Sequence, residues 1–428
     1  MFHFERKILD NGLKVILAPM ENSEAATIQV LVGVGSNNEA KEINGISHFL
    51  EHLFLKGTKN RPRPGDIHKE LDRIGASYNA STSKESTWFW VKSSVKDFDI
   101  SLDILSDLIL SPLFNKEEIE KERNVILQEI NMYEDIPQQK VLRIIFDVMY
   151  GDQPIGRDTL GTRESVSGIR RSDILSYRQD GYTASNMVVI VSGGITKDEA
   201  FKKIRQVFSK VAMGEVMKKK EVNDYQILPQ IKILDKKIDQ SHLVIGVKTF
   251  DMFDERRYTL SVLSTILGEK SSSRLFMAIR EKLGLAYYVG SMVWLLSRAG
   301  VLFIRAGVSH SNLEKTIEKI IKIIKDIKRN GVSKKELQDA KSHIRGQMAL
   351  SFETSDQVAD FYGEQELFYK KIMQPKEILA KIEKVSQDDI LKVSRDIFRP
   401  EKINMAVIGQ QEDNEKNREL FKKICAKI

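Results

Sequence analysis

The chain has 428 residues, of which 41% are hydrophobic and 30% are charged, and its formal net charge is +7. This length predicts at least two domains, and this composition is typical of globular proteins rather than disordered ones. No apolar run approaches the roughly eighteen residues of a membrane span, and basic residues alternate with acidic ones. We therefore expect neither a membrane span nor a nucleic-acid-binding surface.

The beginning of the chain and its cysteine content predict where the protein works. The first residues lack the charged-then-apolar order of a secretory signal and lead directly into a predicted strand at residues 12–18. The sole cysteine, Cys425, cannot form an intrachain disulfide and fits a reducing compartment. We expect a cytoplasmic protein.

Residues 45–57 predict a helix that carries a metal-binding pattern. His48 and His52 are four residues apart, so both imidazoles lie on one helix face and can bind one zinc ion. Glu51 lies between them and can act as general base toward a zinc-bound water. The order H-x-x-E-H is the inverted zincin signature. The alternative is an amphipathic helix whose polar residues have no function.

Two later segments predict elements near such a site. Residues 75–90 alternate small polar and aromatic side chains, which indicates a strand with one packed face. Residues 115–131 form a helical pattern rich in carboxylates, in which Glu122 and Glu129 are seven residues apart on one face. A catalytic zinc needs three protein ligands and one open position, so this helix is a candidate source of the third ligand.

These motifs together resemble the pitrilysin/insulinase family of zinc metallopeptidases. The resemblance rests on His48-x-x-Glu51-His52, followed by Glu129 within Glu-Arg-Asn-Val-Ile-Leu-Gln-Glu. It is greatest for the branch that contains the catalytic subunit of the mitochondrial processing peptidase and its bacterial relatives. The resemblance implies one zinc ion (Zn2+) per chain with Glu129 as third ligand. It also implies that Glu122 orients a ligand histidine, although Glu122 could instead be a solvated charge.

The second half of the chain repeats the first. Residues 115–120 resemble 333–338, about 218 positions later, and residues 186–193 resemble 404–409. We therefore predict an α+β fold of two homologous halves, each a mostly antiparallel sheet packed by helices, facing across a cleft. The predicted boundaries are 1–212 for the catalytic half, 213–228 for a linker and 229–428 for the second half.

The repeated half lacks the metal ligands. At the repeat offset, Gln347 stands in place of Glu129 and Ala340 in place of Glu122. The resemblance nevertheless implies that Arg280 and Tyr287, seven residues apart, complete the active site by hydrogen bonds to the substrate or the oxyanion. The alternative is that Arg280 ends a helix and Tyr287 packs within a strand.

The resemblance also assigns substrate binding to the strand at residues 75–90. Asn79 and Ala80 lie where the family binds an extended substrate by backbone pairing, which gives affinity with little sequence preference. The alternative is an ordinary strand in which neither residue has a role.

We therefore predict a zinc-dependent endopeptidase that acts on unfolded peptides. Two halves supply only half of the family's four-domain chamber, so we expect a homodimer, or a heterodimer with a metal-free paralogue. The loop at residues 268–271 has one glycine, unlike the glycine-rich loop of the processing-peptidase partner subunit, so presequence processing by this chain alone is not favoured. The alternatives are a non-catalytic scaffold and a peptide-binding module with structural zinc, although a structural site normally has a fourth protein ligand.

Overall fold

The structure is a computed structural model that describes residues 3–369 and 371–428. Its strands in chain order are β1 (Glu5–Ile8), β2 (Lys14–Pro19), β3 (Ala25–Val32), β4 (Ser77–Thr82), β5 (Thr87–Ser94), β6 (Met187–Gly193), β7 (Gln230–Asp235), β8 (Ser241–Thr249), β9 (Ala286–Leu295), β10 (Gly300–Val308) and β11 (Ile403–Gly409).

The helices lie between these strands in runs of one to five, and one helix follows the last strand. In chain order they are α1 (Ile46–Phe54), α2 (Asp66–Arg73), α3 (Phe98–Leu110), α4 (Lys116–Glu134), α5 (Pro137–Tyr150), α6 (Arg163–Gly168), α7 (Arg171–Gly181), α8 (Lys197–Phe208), α9 (Arg257–Ser264), α10 (Leu313–Asn330), α11 (Lys334–Leu350), α12 (Ser355–Phe368), α13 (Pro375–Lys384), α14 (Gln387–Ile397) and α15 (Glu415–Cys425). Two π-helical turns, Thr265–Glu269 and Phe276–Glu281, follow α9.

The first compact unit is built on a six-stranded sheet. It comprises the described parts of Met1–Asn131, Arg157–Lys220 and Ala349–Gln374. The strand order is β1-β2-β6-β3-β5-β4, with β2 and β6 parallel and the other neighbours antiparallel. Strands β3 and β6 are buried along nearly their whole length, as expected where helices cover both faces of a sheet.

The second compact unit is built on a five-stranded sheet. It comprises Met132–Gly156, Glu221–Met348 and Pro375–Ile428. The strand order is β7-β11-β8-β10-β9, with β7 and β11 parallel and the other neighbours antiparallel. In this order, the five strands correspond one to one to β2, β6, β3, β5 and β4 of the first sheet. The predicted fold class, two homologous α+β halves with mostly antiparallel sheets, is therefore confirmed.

Each sheet is covered in part by a helix from the other half of the sequence, so the two halves exchange one helix each. Helix α12, from the second half of the sequence, packs on β3 and β6 of the first sheet. A side chain at Gly363 would clash with Ile190, so this glycine permits the close approach. Helix α5, from the first half, packs on β8 and β11, and there Gly246 lies against Ile145 and Met149.

Because of this exchange, the compact units do not coincide with the sequence halves. The division predicted at residues 1–212, 213–228 and 229–428 follows the internal repeat, and it stays a prediction about the repeated halves. Helices α5 and α12 lie 218 positions apart and have 14 residues each, so the exchange obeys the same repeat. None of the helices in the described part of the chain has the length and apolar composition to cross a membrane.

Candidate metal centre

Helix α1 places the two predicted histidines side by side. Its apolar side chains anchor one face of the helix in the core, through Phe49, Leu50, Leu53 and Phe54. The imidazoles of His48 and His52 lie one turn apart on the same side. Their Nε2 atoms are 3.2 Å apart, and the ring planes meet at 71°.

Helix α4 brings the third predicted ligand to this pair. The Oε2 atom of Glu129 lies 3.5 Å from Nε2 of His48 and 3.5 Å from Nε2 of His52. Ligands at about 2.0–2.1 Å from a tetrahedral zinc ion are about 3.3–3.4 Å apart, so these three atoms match the edges of such a site. Within the described residues, this is the one group of three or more potential ligands with atoms within 4.8 Å of one another.

Glu122, which the family resemblance places next to a ligand histidine, lies behind His52. Its Oε2 is 3.1 Å from Nδ1 of His52, and its Oε1 is 2.8 Å from Nζ of Lys56. Glu122 is 5% exposed, so the alternative of a solvated charge is wrong. An ionised carboxylate can only accept, so Nδ1 carries a proton and Nε2 is the ring atom that faces the metal position.

The protonation of His52 depends on its carboxylate neighbours. Burial would lower the pKa of the His52 imidazole, but hydrogen bonds to Glu122 and Glu129 outweigh burial and raise that pKa to about 9. Without a metal, His52 is therefore protonated at neutral pH. A metal ion must displace this proton on binding, which couples metal affinity to pH.

Glu51 is half-buried beside the three predicted ligands. Burial raises the pKa of the Glu51 carboxyl, and the charge of Glu129 raises it further, while a hydrogen bond from Thr82 and the charge of His52 oppose the rise. A carboxylate with a raised pKa is a stronger proton acceptor, which suits a general base. The catalytic role of Glu51 stays a prediction.

Strand β4 lies at the edge of the first sheet and ends beside Glu51. Asn79 is exposed, and its Oδ1 accepts the backbone N–H of Ala80 at 2.9 Å. The N–H of Ser83 donates to the backbone oxygen of Ser86 across the turn between β4 and β5, and such bonds alternate along an antiparallel strand, so the N–H of Ala80, three residues earlier, points to the open edge. The edge is therefore available for an extended peptide, and the substrate-binding role of Asn79 and Ala80 stays a prediction.

Arg280 lies in the second unit, within the π-helical turn Phe276–Glu281. Its guanidinium carbon is 4.9 Å from the centre of the Phe276 ring, and its side chain is exposed. Single π-helical turns occur frequently at functional sites. The part of Arg280 in catalysis stays a prediction.

Tyr287 also lies in the second unit, near the start of the edge strand β9. It is the extra residue of a β-bulge, since the paired positions of β9 pass from Ala286 to Tyr288. Bulges re-aim side chains, and Tyr287 is 69% exposed. The alternative in which Tyr287 packs within the strand is therefore wrong, while its catalytic role stays a prediction.

Two neighbours of the site were not predicted. Lys56 holds Glu122 in place from the turn that follows α1, and no helical spacing in the sequence indicates this contact. Thr82 contacts Glu51 and also donates to the backbone oxygen of Ser47 at 3.5 Å. No local pattern in the sequence distinguishes Thr82 from Thr87, the other threonine of residues 75–90.

Two family models match the chain. Residues 14–163 match the model described as insulinase (peptidase family M16), and residues 168–344 match the model described as the peptidase M16 inactive domain. The second match begins within the first half and extends to residue 344 of the half in which the sequence repeat lacks the metal ligands.

Relatives and solved structures are similar over nearly the whole chain. A Bacillus subtilis protein named "uncharacterized zinc protease YmxG" is 34% identical, over 92% of this chain and 95% of that protein. A Rickettsia felis protein named "uncharacterized zinc protease" is 32% identical, over 92% and 95% respectively. A crystal structure of a Helicobacter pylori protease has a TM-score of 0.88 at 23% identity, covering 96% of this chain and 100% of that one. A putative M16-like peptidase from Alicyclobacillus acidocaldarius has a TM-score of 0.84 at 20% identity, covering 95% and 98%.

Proposed function

Because the chain belongs to the insulinase family of peptidases, family M16, we propose that it is a zinc-dependent endopeptidase that hydrolyses unfolded peptides. The observation that supports this most is the triangle of Nε2 of His48, Nε2 of His52 and Oε2 of Glu129, with edges of 3.2–3.5 Å. Two imidazoles and one carboxylate form the donor set of hydrolytic zinc sites, in which the fourth position is left for water.

The residues around the triangle divide the chemistry among them. A bound zinc ion would supply a Lewis acid that polarises water and the scissile carbonyl. Glu51 accepts the proton of the attacking water and passes it to the leaving amine, and its raised pKa favours holding the proton between these steps. Glu122 keeps the proton of His52 on Nδ1, so that Nε2 stays available as a ligand.

Substrate binding and oxyanion stabilisation complete the proposal. An extended peptide adds to the open edge of β4 at Asn79 and Ala80 through backbone hydrogen bonds, so affinity depends little on side chains. Arg280 and Tyr287 donate hydrogen bonds to the oxyanion, which stabilises charge that develops only in the transition state. This last part rests on the family resemblance and on the outward side chain of Tyr287.

We also propose that two chains work together in the cytoplasm. Two compact units per chain account for half of the chamber that the family resemblance implies, so a homodimer or a heterodimer with a metal-free paralogue would complete it. Cys425 is a buried free thiol, which is compatible with a reducing compartment. Light scattering of the purified chain would distinguish a homodimer from a monomer that awaits a partner.

The test compares wild type with Glu51→Gln, and each protein is assayed for zinc content and for cleavage of a quenched fluorogenic peptide library. We expect about one zinc per chain in both proteins, and a loss of kcat/KM of about 100- to 10,000-fold in the variant. Glu118→Gln is the matched control, because Glu118 is a buried carboxylate of α4 that pairs with Lys121. A Glu51→Gln variant that cleaves like wild type would contradict the general-base role. A zinc-loaded wild type that cleaves no peptide means that a partner chain is missing or that the protein is a scaffold, and the addition of candidate partner chains distinguishes these two.

A further inference from the structure

A second carboxylate outside the proposed ligand set contacts the start of α1. Glu39 is fully buried at 0% exposure and follows the short 3₁₀ turn Ser36–Asn38. Its Oε2 accepts the backbone N–H of Gly45 at 2.7 Å, and its Oε1 accepts the backbone N–H of Ser47 at 2.9 Å. Its Oε2 also accepts the side-chain amide of Asn44 at 2.7 Å.

Helix α1 has no side chain of its own that could do this. Its N-cap is Gly45, in the left-handed region with φ of 97°. A side chain at that position would lie 2.6 Å from the backbone oxygen of Leu160, so the close approach excludes Ser, Thr, Asp and Asn. The N–H groups at the start of a helix still need acceptors, and here Glu39 supplies them from six residues upstream.

Burial raises the pKa of the Glu39 carboxyl, and the hydrogen bonds from Gly45, Ser47 and Asn44 oppose that rise because they favour the ionised form. Both oxygens accept N–H groups, an arrangement that suits this ionised form. Its negative charge lies at the positive end of the helix dipole, where it is stabilising. In a glutamine at this position, the amide oxygen could still accept N–H groups on one side. The NH2 group on the other side is itself a donor, so it could not accept the N–H group that it faces.

The anchored residues lie next to the metal centre. The N–H of Ser47 belongs to the residue immediately before His48, and Ser47 also bonds Tyr177 through its hydroxyl at 2.8 Å. The first turn of α1 is therefore fixed on two sides. Metal sites tolerate deviations of only about 0.2 Å in ligand distances, so a small shift of this turn would open the triangle.

We propose that Glu39 is a positioning residue for the metal centre, which caps α1 at its backbone N–H groups and so holds His48 and His52 at the spacing that zinc requires. This inference rests on the proposed function for its biological meaning. Its physical content, a carboxylate that sets metal affinity through a helix, does not require that the protein cleaves peptides.

The test is Glu39→Gln in the full-length chain, with zinc and cobalt as probes. We expect the zinc dissociation constant, measured by competition with a chromophoric chelator, to rise about 10- to 100-fold. The visible d–d absorption of the cobalt-substituted protein should also change, because it reports the ligand geometry. In the metal-free protein, hydrogen exchange at the amides of Gly45 and Ser47 should become faster than in wild type.

Glu366→Gln is the matched control. Glu366 is a buried carboxylate of the same unit, held by Arg6, and it lies on α12 rather than beside α1. It should lower thermal stability as much as Glu39→Gln while leaving the zinc dissociation constant within about twofold of wild type. Equal losses of zinc affinity in both variants would show that general destabilisation is the cause and would overturn the proposal.

The remaining outcomes are equally decisive. A Glu39→Gln protein with the wild-type dissociation constant and cobalt spectrum would overturn the positioning role. If Glu39→Gln does not fold, Asn44→Ala removes only the side-chain amide from the donors to Glu39, and zinc affinity should then fall about threefold or more. Unchanged affinity would again overturn the proposal. A wild type that binds zinc but cleaves no peptide, either alone or with a metal-free paralogue added, refutes the proposed function, and the affinity comparison still decides the role of Glu39.

Discussion

Replacement of Glu122 by glutamine changes a carboxylate with two equivalent acceptors into an amide with one acceptor and one donor. In the wild type, one oxygen faces Lys56 at 2.8 Å and the other faces His52 at 3.1 Å. The ammonium group of Lys56 can only donate, so the amide oxygen must turn toward it. The NH2 group then faces Nδ1 of His52, which must accept and therefore loses its proton. The proton of the neutral ring moves to Nε2, the atom required by the metal.

The expected loss in zinc affinity follows from this conflict. Loss of a partner behind a metal ligand typically reduces metal affinity 10- to 100-fold, or about 1.4–2.7 kcal/mol. We expect Glu122→Gln near the upper end, because the side chain of Glu122 is 6% exposed and water cannot relieve the mismatch. Lys56→Met alone should lower zinc affinity only a few-fold, since the carboxylate still accepts from His52.

The double variant distinguishes this explanation from a simple loss of charge. Without Lys56, the amide of Gln at position 122 is free to turn its oxygen toward His52 and to restore the proton on Nδ1. We therefore expect Lys56→Met to raise zinc affinity about tenfold in the Glu122→Gln background, although it lowers affinity in the wild type. The assay is chelator competition on the four proteins of this cycle. Additive losses would refute the tautomer argument.

Tyr287→Phe removes the outward hydroxyl, so kcat should fall about 100-fold or more while zinc content and KM stay unchanged; a wild-type kcat would contradict the oxyanion role. Ala80→Pro deletes the N–H at the open edge of β4, so KM should rise about tenfold. If Ala80→Pro instead lowers the melting temperature strongly, this N–H stabilises the sheet rather than binding the substrate. Burial would raise the pKa of Glu336, but its bonds with Arg274 and Ser333 lower it from 4.5 to about 2. Ionised Glu336 therefore stabilises the folded protein above pH 4.5, and this stabilisation is lost as the pH falls toward 2. Glu336→Gln should cost about 1–2 kcal/mol at pH 7, allowing for partial exposure, and urea unfolding should show the cost shrinking below about pH 5.

The metal centre could be predicted from the sequence where its geometry is local. The spacing of His48 and His52 on one helix fixes their proximity, and the structure agrees. Glu129 could be assigned as the third ligand only from the family resemblance, because α4 carries many carboxylates and no local feature of the sequence distinguishes one of them. Glu39 was missed because its partners follow five to eight residues later, across a turn whose shape depends on the packing of Leu160. A glycine at the cap of α1, where a capping side chain is usual, was the one available signal.

The fold could be predicted to the level of its repeat. Recurring segments indicated two related halves, and the matching strand orders confirm this. The exchange of α5 and α12 could not be predicted in the same way. An apolar helix face indicates that the helix is buried but not which sheet it covers. That choice depends on tertiary packing, such as the contact of Gly363 with Ile190.

The exchange of α5 and α12 restricts how this polypeptide can be divided. A fragment that ends near residue 212 would lack the helix that covers β3 and β6, and its partner fragment would lack the helix that covers β8 and β11. Each would expose an apolar sheet face until the other bound, so the two fragments should complement each other when co-expressed. The same reasoning applies to the origin of the repeat. Two identical halves could cover both sheets by the same exchange, which is the arrangement of a domain-swapped dimer.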